Sequence, residues 1–121
     1  MPEALKKILI VDDDVQLTEI LGRILTEHGY SVDTLNSGLA LLSYFRENKE
    51  PDLLILDIVM GGRSGYELIN TVKSVWKNAK VMIYSAHPEY DHKIPKSHVD
   101  AFVSKPRNLQ DLLSTIEGLL A

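Results

Sequence analysis

Two periods of apolar positions alternate along the chain. Residues 8–11 (Ile-Leu-Ile-Val) form a continuous apolar run of strand length, which ends at three consecutive aspartates, residues 12–14. Apolar residues then recur at steps of three and four positions: Leu17, Ile20, Leu21, Ile24 and Leu25. This second pattern is typical of an amphipathic helix, and Gly29 is placed to close it.

The same alternation predicts the rest of the chain. Further strands are predicted at residues 30–35, 53–56, 81–84 and 101–103. Further helices are predicted from Asn36 or Ser37 through Glu47, from Ser64 to about Val75, and from Asn108 to the end of the chain. Strands that are apolar on both sides and alternate with helices predict a doubly wound α/β fold, with a parallel sheet covered on both faces. We find no repeat or linker and expect residues 1–121 to form a single domain.

Polar side chains follow the predicted strands. Asp12 to Asp14, Asp57, Ser85 and Lys105 each come after an apolar run. Ligands of open parallel sheets bind at the carboxyl ends of the strands. We therefore expect an acidic, hydroxylic and cationic cluster at one edge of the sheet.

The acidic residues of this cluster favour a metal. One of the three consecutive aspartates is expected to cap the following helix, but a cap needs only one carboxylate. Asp57 interrupts an apolar run, where a carboxylate is costly unless it is compensated or simply solvated at the start of a loop. Hard oxygen ligands without cysteine favour Mg²⁺ or a similar ion.

Binding of a phosphoryl group requires a hydroxyl and an ammonium beside such a site. Ser85 and Lys105 each have a weak claim to function alone, but together with the acidic cluster they predict a phosphoryl site. His87, His92 and His98 lack a helical spacing for a zinc site, and we interpret them as surface residues.

Composition narrows the function classes. The 121 residues carry 13 Lys and Arg against 17 Asp and Glu, with no basic cluster, so direct binding of nucleic acid is not expected. Cysteine is absent, which excludes disulfides and thiol chemistry. No apolar stretch is long enough for membrane insertion and no signal peptide is recognised, so we expect a cytoplasmic protein.

The sequence resembles the receiver (phosphoacceptor) domain of bacterial two-component response regulators over essentially its whole length. The motifs that carry this resemblance are Asp12-Asp13, Asp57-Ile58-Val59-Met60, Gly65-Tyr66-Glu67-Leu68, Ser85-Ala86 and Lys105-Pro106. The resemblance implies a flavodoxin-like sheet of order 2-1-3-4-5 with five helices. It also implies phosphoryl transfer from a sensor histidine kinase or a histidine phosphotransfer protein, with an output protein or domain as a further partner.

Residue roles follow from the same resemblance. It implies that Asp57 is the phosphoacceptor and that Mg²⁺ is held by Asp13, Asp57 and the Val59 carbonyl, with Asp12 acting through water. Lys105 and Ser85 would each contact a phosphoryl oxygen. Phe102 would be the aromatic switch that turns inward as Ser85 moves. Such a domain is a phosphoacceptor that takes part in its own phosphorylation and dephosphorylation, and is not otherwise an enzyme.

Several positions depart from the family pattern. Gly61-Gly62 stands where proline is frequent, which predicts a looser loop beside Asp57. Phe102 replaces a common tyrosine and lacks its hydroxyl. Pro95 limits a fourth helix to residues 88–94, which we expect to be short or irregular. The resemblance further implies a cis peptide bond between Lys105 and Pro106.

Two other interpretations remain open at this point. Asp12-x-Asp14 after a strand also resembles the first motif of haloacid-dehalogenase-type phosphatases, with Asp12 as nucleophile, although a later acidic pair is missing. A pseudo-receiver that only binds partners is the third possibility. The cognate kinase, the output and the oligomeric state are not determined by the sequence.

Overall fold

The computed structural model describes residues 5–47, 49–60, 63–86 and 94–121. The strands are β1 (Lys7–Val11), β2 (Ser31–Leu35), β3 (Leu53–Leu56), β4 (Val59–Met60), β5 (Arg63–Ser64), β6 (Lys80–Ser85) and β7 (Ala101–Ser104). The helices are α1 (Val15–Glu27), α2 (Gly38–Glu47), α3 (Gly65–Val75) and α4 (Leu109–Leu120), with a 3₁₀ helix at Lys96–His98. The bounds lie within one or two residues of those that the hydrophobic pattern predicts.

Five strands form one parallel sheet in the order β2-β1-β3-β6-β7. Counting only these strands, the order is 2-1-3-4-5, which confirms the doubly wound, flavodoxin-like prediction. The chain moves outward from β1 to β2 and then returns to β3 on the other side of β1. Loops that leave β1 and β3 therefore separate toward opposite faces, and their polar residues border a crevice at the carboxyl end of the sheet.

The hydrophobic core has two layers, one on each face of the sheet. Leu9 and Leu54 point toward the layer that contains α2 and α3, whereas Ile8 and Ile55 point toward the layer that contains α1 and α4. All four of these side chains are buried, because successive residues of a strand face opposite sides and both sides are covered. This explains why the central strands are continuous apolar runs instead of alternating ones.

Side-chain caps fix where the helices begin. Asp14 caps α1 by accepting a hydrogen bond from the backbone N–H of Leu17, and Asn108 caps α4 by accepting one from Asp111. Of the two residues considered for α2, Ser37 supplies the cap, since its hydroxyl oxygen accepts from the N–H of Ala40. At the other end of α1, Gly29 has a φ of +93°, the left-handed conformation that ends a helix most easily with glycine.

Two features differ from the sequence prediction or extend beyond it, and one prediction is not tested. The described residues contain four α-helices where five were predicted, and the predicted fourth helix at 88–94 lies outside them except for Ile94. Strands β4 and β5 form a small antiparallel pair that the hydrophobic pattern did not predict. Residues 61 and 62 between them lie outside the described residues, so the prediction of a looser loop at Gly61-Gly62 stays a prediction.

Of the three histidines interpreted as surface residues, His98 is the one that the structure describes. His98 is half-buried, and its Nδ1 is buried without a hydrogen-bond partner among the described residues. The residue belongs to the 3₁₀ helix, which contacts α3. His87 and His92 lie outside the described residues.

Candidate functional site

Four strand ends bring the predicted site residues together. In the sheet register, Val11 of β1 is level with Leu56 of β3, and Leu56 is level with Ile83 of β6. The next residues along these strands are Asp12 and Asp57, while Ser85 ends β6. Parallel strands end at the same edge, so the acidic residues of two loops face each other across the crevice between β1 and β3.

Asp57 is the carboxylate that immediately follows β3. The residue is 7% exposed, and its backbone N–H donates to the carbonyl of Val11 at 3.0 Å, which continues the β1–β3 ladder by one residue. One carboxylate oxygen, Oδ1, accepts from the N–H of Val59 at 3.2 Å. The other, Oδ2, lies 3.3 Å from Nζ of Lys105. The group is thus partly shielded from water but compensated by two donors, as a buried charge must be.

Asp12 is more deeply buried, with 3% of its surface exposed. Its Oδ1 accepts from the N–H of Asp14 at 2.9 Å, and its Oδ2 lies 2.5 Å from Nζ of Lys105. Burial raises the pKa of the Asp12 carboxyl above its usual value, although the Lys105 ammonium and the Asp14 N–H oppose that rise. Asp57 adds to the increase because it is a like charge.

Lys105 directly follows the edge strand β7, and its ammonium contacts both carboxylates. Its backbone N–H donates to the carbonyl of Ser85 at 2.8 Å, and the Lys105–Pro106 peptide bond is cis, as predicted. Its ammonium also lies 5.5 Å from the centre of the Tyr84 ring. Desolvation alone would lower the pKa of Lys105, but the hydrogen bonds and charges of Asp12 and Asp57 outweigh it, and the pKa is raised.

The carboxylates form a possible cation site. Asp12, Asp13 and Asp57 each offer an oxygen, and these oxygens lie within 4.8 Å of one another. Asp13 is exposed, so the site opens to solvent on that side. Oxygen ligands lie about 2.1 Å from Mg²⁺, which puts opposite ligands about 4.2 Å apart. The observed spacing fits such an ion with small movements of the side chains.

Ser85 and Phe102 occupy neighbouring strands beside the carboxylates. Ser85 is 2% exposed at the end of β6 and is level with Ser104 of β7. Phe102 is half-buried on β7 and packs against the core layer on the α3 side. The predicted hydroxyl and aromatic positions therefore lie on β6, which is next to β3, and on β7, which is next to β6.

Sequence reasoning treated Asn36 only as a possible helix cap and did not consider Thr18. In the structure, Nδ2 of Asn36 donates to the backbone carbonyl of Asp12 at 2.8 Å and to Oγ1 of Thr18 at 3.0 Å. The sequence contained one signal for this contact. Asn36 is a polar residue at the end of β2, and β2 lies next to β1, which Asp12 follows, in the predicted strand order.

Comparison with known proteins identifies the arrangement. The family model "Response regulator receiver domain" matches residues 8–117. The chain belongs to this family. Receiver domains of response regulators are signalling domains, and the match favours this function over the haloacid-dehalogenase-type phosphatase and the pseudo-receiver.

Curated relatives agree with this assignment. The chain is 32% identical to the transcriptional regulatory protein CpxR homolog of Haemophilus influenzae over 118 residues, which are 96% of this chain and 51% of the relative. It is 33% identical to the probable transcriptional regulatory protein SilR of Salmonella typhimurium over 116 residues, 94% of this chain and 50% of the relative. This receiver domain therefore spans about half the length of the curated relatives it matches.

Solved structures match the receiver fold closely. Response regulator TrrA of Thermotoga maritima, crystallised in complex with Mg²⁺-BeF, is 34% identical with a TM-score of 0.85, covering 96% of this chain and all (100%) of that one. A CheY-like receiver domain protein of Methanospirillum hungatei is 29% identical with a TM-score of 0.89, covering 97% of this chain and 94% of that one.

Among the described residues of our chain, no helix is long and apolar enough to cross a membrane.

Proposed function

We propose that this receiver domain accepts a phosphoryl group on Asp57, with Mg²⁺ bound beside it, and changes conformation in response. The observation that carries the proposal is the position of the Asp57 carboxylate. It lies at the end of a central strand, within 4.8 Å of oxygens of Asp12 and Asp13 and 3.3 Å from the Lys105 ammonium. A nucleophile, a possible cation site and a fixed positive charge thus meet at one point.

The donor set supports Mg²⁺ as the ion. Asp13, Asp57 and the backbone carbonyl of Val59 are the proposed direct ligands, and Asp12 would act through a bound water. The Val59 backbone lies beside the Asp57 carboxylate, because its N–H donates to Oδ1 at 3.2 Å. The ion, when bound, would neutralise negative charge on the carboxylates and on the phosphoryl oxygens.

Asp57 is favoured as the acceptor over Asp12. Both oxygens of the Asp12 carboxylate are engaged, Oδ1 by the Asp14 N–H at 2.9 Å and Oδ2 by Lys105 at 2.5 Å. The contacts of Asp57 are longer, 3.2 Å to Val59 and 3.3 Å to Lys105. Asp57 is also the more accessible of the two residues, at 7% exposed against 3% for Asp12.

The proposed donor is a phosphohistidine of a sensor histidine kinase or of a histidine phosphotransfer protein. An Asp57 oxygen attacks phosphorus in line with the departing imidazole nitrogen, so that a P–O bond forms as the P–N bond breaks. The imidazole nitrogen then gains a proton. Later, water attacks the same phosphorus, the P–O bond to Asp57 breaks, and inorganic phosphate leaves with the carboxylate restored. The domain takes part in both steps, but its product is a signalling state.

Lys105 has a different task before and after transfer. In the structure its ammonium neutralises the two carboxylates. We infer that it turns to an oxygen of the phosphoryl group once that group is on Asp57, because the new dianionic group is the stronger attraction. The ammonium lies over the Tyr84 ring, and the backbone N–H of Lys105 donates to the Ser85 carbonyl, so the side chain stays near the site during this change.

Ser85 and Phe102 are the proposed switch. The Ser85 hydroxyl would donate to another phosphoryl oxygen, and the Phe102 ring would turn inward as Ser85 moves. Phe102 is half-buried, so it has further apolar surface to bury when it turns inward. The expected partners are the kinase and an output protein or domain, with no direct contact to nucleic acid. We also propose that residues 1–121 form one domain and act in the cytoplasm.

Labelling with a small phosphodonor tests the function. Acetyl phosphate with Mg²⁺ should add one phosphoryl group, and peptide mapping should locate it on Asp57. Asp57→Asn should remain unlabelled, and chelation of Mg²⁺ should suppress the reaction. The label should be lost in alkali, as expected for an acyl phosphate. An acid-stable label, or full labelling of Asp57→Asn, would contradict the proposal.

A further inference from the structure

A side-chain network joins the end of β2 to the acidic loop. Asn36 follows β2 directly, and its Nδ2 donates to the Asp12 carbonyl at 2.8 Å and to Oγ1 of Thr18 at 3.0 Å. The Thr18 hydroxyl in turn donates to the carbonyl of Val15 at 3.0 Å in the first turn of α1. Thr18 is buried, so this link is shielded from water on the helix side.

The Asn36 amide continues the β1–β2 ladder where the backbone no longer does. At the start of that ladder the N–H of Ser31 donates to the carbonyl of Lys6, and at its end the N–H of Asp12 donates to the carbonyl of Leu35. The next acceptor in a parallel ladder is the carbonyl of Asp12. The chain leaves the sheet at Ser37, where α2 is capped. The Asn36 side chain therefore supplies the donor for the Asp12 carbonyl in place of a backbone N–H.

The bond to the Asp12 carbonyl also affects Asp13. The Asp12 carbonyl and the Asp13 nitrogen belong to one planar peptide unit. A hydrogen bond that holds the Asp12 carbonyl therefore also holds the orientation of this peptide plane, which contains the Asp13 Cα. Asp13 is exposed, and the orientation of its backbone sets where its carboxylate can reach.

We propose that Asn36 is a positioning residue, which orients the Asp12–Asp13 peptide so that both carboxylates face the cation site, with Thr18 holding the Asn36 amide in place. This inference rests on the proposed function, because it concerns the same cation site. Asn36 itself contacts neither the phosphoryl group nor the ion; it acts through the peptide.

Removal of the amide gives the main test. Isothermal titration calorimetry with MgCl₂ should show that Asn36→Ala binds Mg²⁺ about tenfold more weakly than the parent chain, as is typical when a partner of a metal ligand is lost. Phosphorylation by acetyl phosphate should be slower at limiting Mg²⁺ and should recover at saturating Mg²⁺. A general loss of folded protein would lower the rate at both concentrations.

Ser37→Ala is the matched control. It alters the neighbouring residue of the same loop and removes the cap of α2, but it leaves the Asp12 carbonyl bonded to Asn36. We expect lower stability in urea with Mg²⁺ affinity within twofold of the parent. The contrast between the two variants separates positioning from stability.

Variants of Thr18 test the network without altering Asn36. Thr18→Val keeps the shape but removes the oxygen that accepts from Asn36, and should weaken Mg²⁺ binding severalfold. Thr18→Ser keeps that oxygen and should restore the affinity. If Asn36→Ala does not fold, this pair decides the question.

Two results would overturn the inference, and they are distinguishable. A parent chain that binds Mg²⁺ and is labelled on Asp57, with Asn36→Ala or Thr18→Val within twofold of it in Mg²⁺ affinity, would remove the positioning role alone. A parent chain that neither binds Mg²⁺ nor is labelled would remove the proposed function and this inference together.

Discussion

Nζ of Lys105 lies 3.3 Å from Oδ2 of Asp57, although the two residues are 48 positions apart. The same ammonium also contacts Asp12, so one cation balances two buried carboxylates. In this arrangement the Lys105 ammonium supplies the positive charge beside the two carboxylates that a bound metal ion would also supply. Binding of Mg²⁺ and binding of Lys105 to these oxygens are therefore expected to compete.

Lys105→Met should lower both stability and phosphorylation. Loss of the ammonium leaves Asp12 and Asp57 facing each other without a counter-charge, which should cost about 1.5–3 kcal/mol at neutral pH. Added Mg²⁺ should recover part of this loss, because the ion replaces the missing charge. Urea denaturation with and without MgCl₂ measures the loss of stability and its recovery, and labelling by acetyl phosphate measures phosphorylation. Equal losses under the two conditions would argue against the competition.

Asp13→Asn should weaken Mg²⁺ binding by about tenfold or more, since it removes one of the proposed direct ligands. Asp14→Asn makes the same charge change one residue along the chain. Asparagine also caps helices well, so α1 should keep its cap and the Mg²⁺ affinity should stay close to that of the parent. Calorimetric titration with MgCl₂ compares the two variants. If both lose affinity equally, the effect is long-range charge and Asp13 is not a ligand.

The contact between Asp33 and Lys7 should make stability depend on pH at the acid end. Hydrogen bonds from Lys7 and then from Tyr44 hold the pKa of the Asp33 carboxyl below its usual value. A carboxyl whose folded pKa is depressed stabilises the fold above its unfolded pKa, about 3.9, and loses that contribution as the pH falls through the folded pKa. The pair is partly exposed, so solvent screening limits the effect to about 0.2–1 kcal/mol.

Urea denaturation between pH 2 and 6 measures this contribution. In the Asp33→Asn variant the decline in stability toward acid should be shallower than in the parent chain. Glu19→Gln removes one exposed carboxylate on α1 and is the control for the loss of a single surface charge. Parallel curves for the parent and Asp33→Asn would exclude the contribution.

Two glycines should respond to alanine with opposite signs. Gly29 has a φ of +93°, and an added Cβ would meet no atom within 4 Å, so the cost of Gly29→Ala is the backbone conformation alone, about 1 kcal/mol. Gly118 lies within α4, where a Cβ would also meet no atom within 4 Å. Gly118→Ala should raise the free energy of unfolding by about 0.5–1 kcal/mol, because alanine favours the helix. Thermal and urea unfolding of both variants check the signs.

A short or irregular helix at residues 88–94 stays a prediction. The described chain resumes at Ile94, which is buried, and Pro95 precedes the 3₁₀ helix. Backbone chemical shifts measured by NMR would test it directly. Helical shifts that continue through Pro95 would show the prediction to be wrong.

The sequence by itself determined the order of strands and helices and the residues that end them. This was possible because burial on both faces of a strand, or on one face of a helix, leaves a local period in the chain, and because caps such as Asp14 and Asn108 act on residues three positions away. The resemblance to receiver domains added the sheet order and the site, and the cis bond at Lys105–Pro106 agrees with it.

Contacts between distant residues were decided only by the tertiary structure. No local pattern marks that Asn36 bonds the Asp12 carbonyl, that Tyr44 and Lys7 share Asp33, or that β4 and β5 pair. Strand register and helix packing bring these groups together, and the free energy of each contact depends on neighbours far away in the sequence. A polar side chain such as Asn36 at the end of a strand can form several different hydrogen bonds. Which one it forms depends on the acceptor that the tertiary structure places near it.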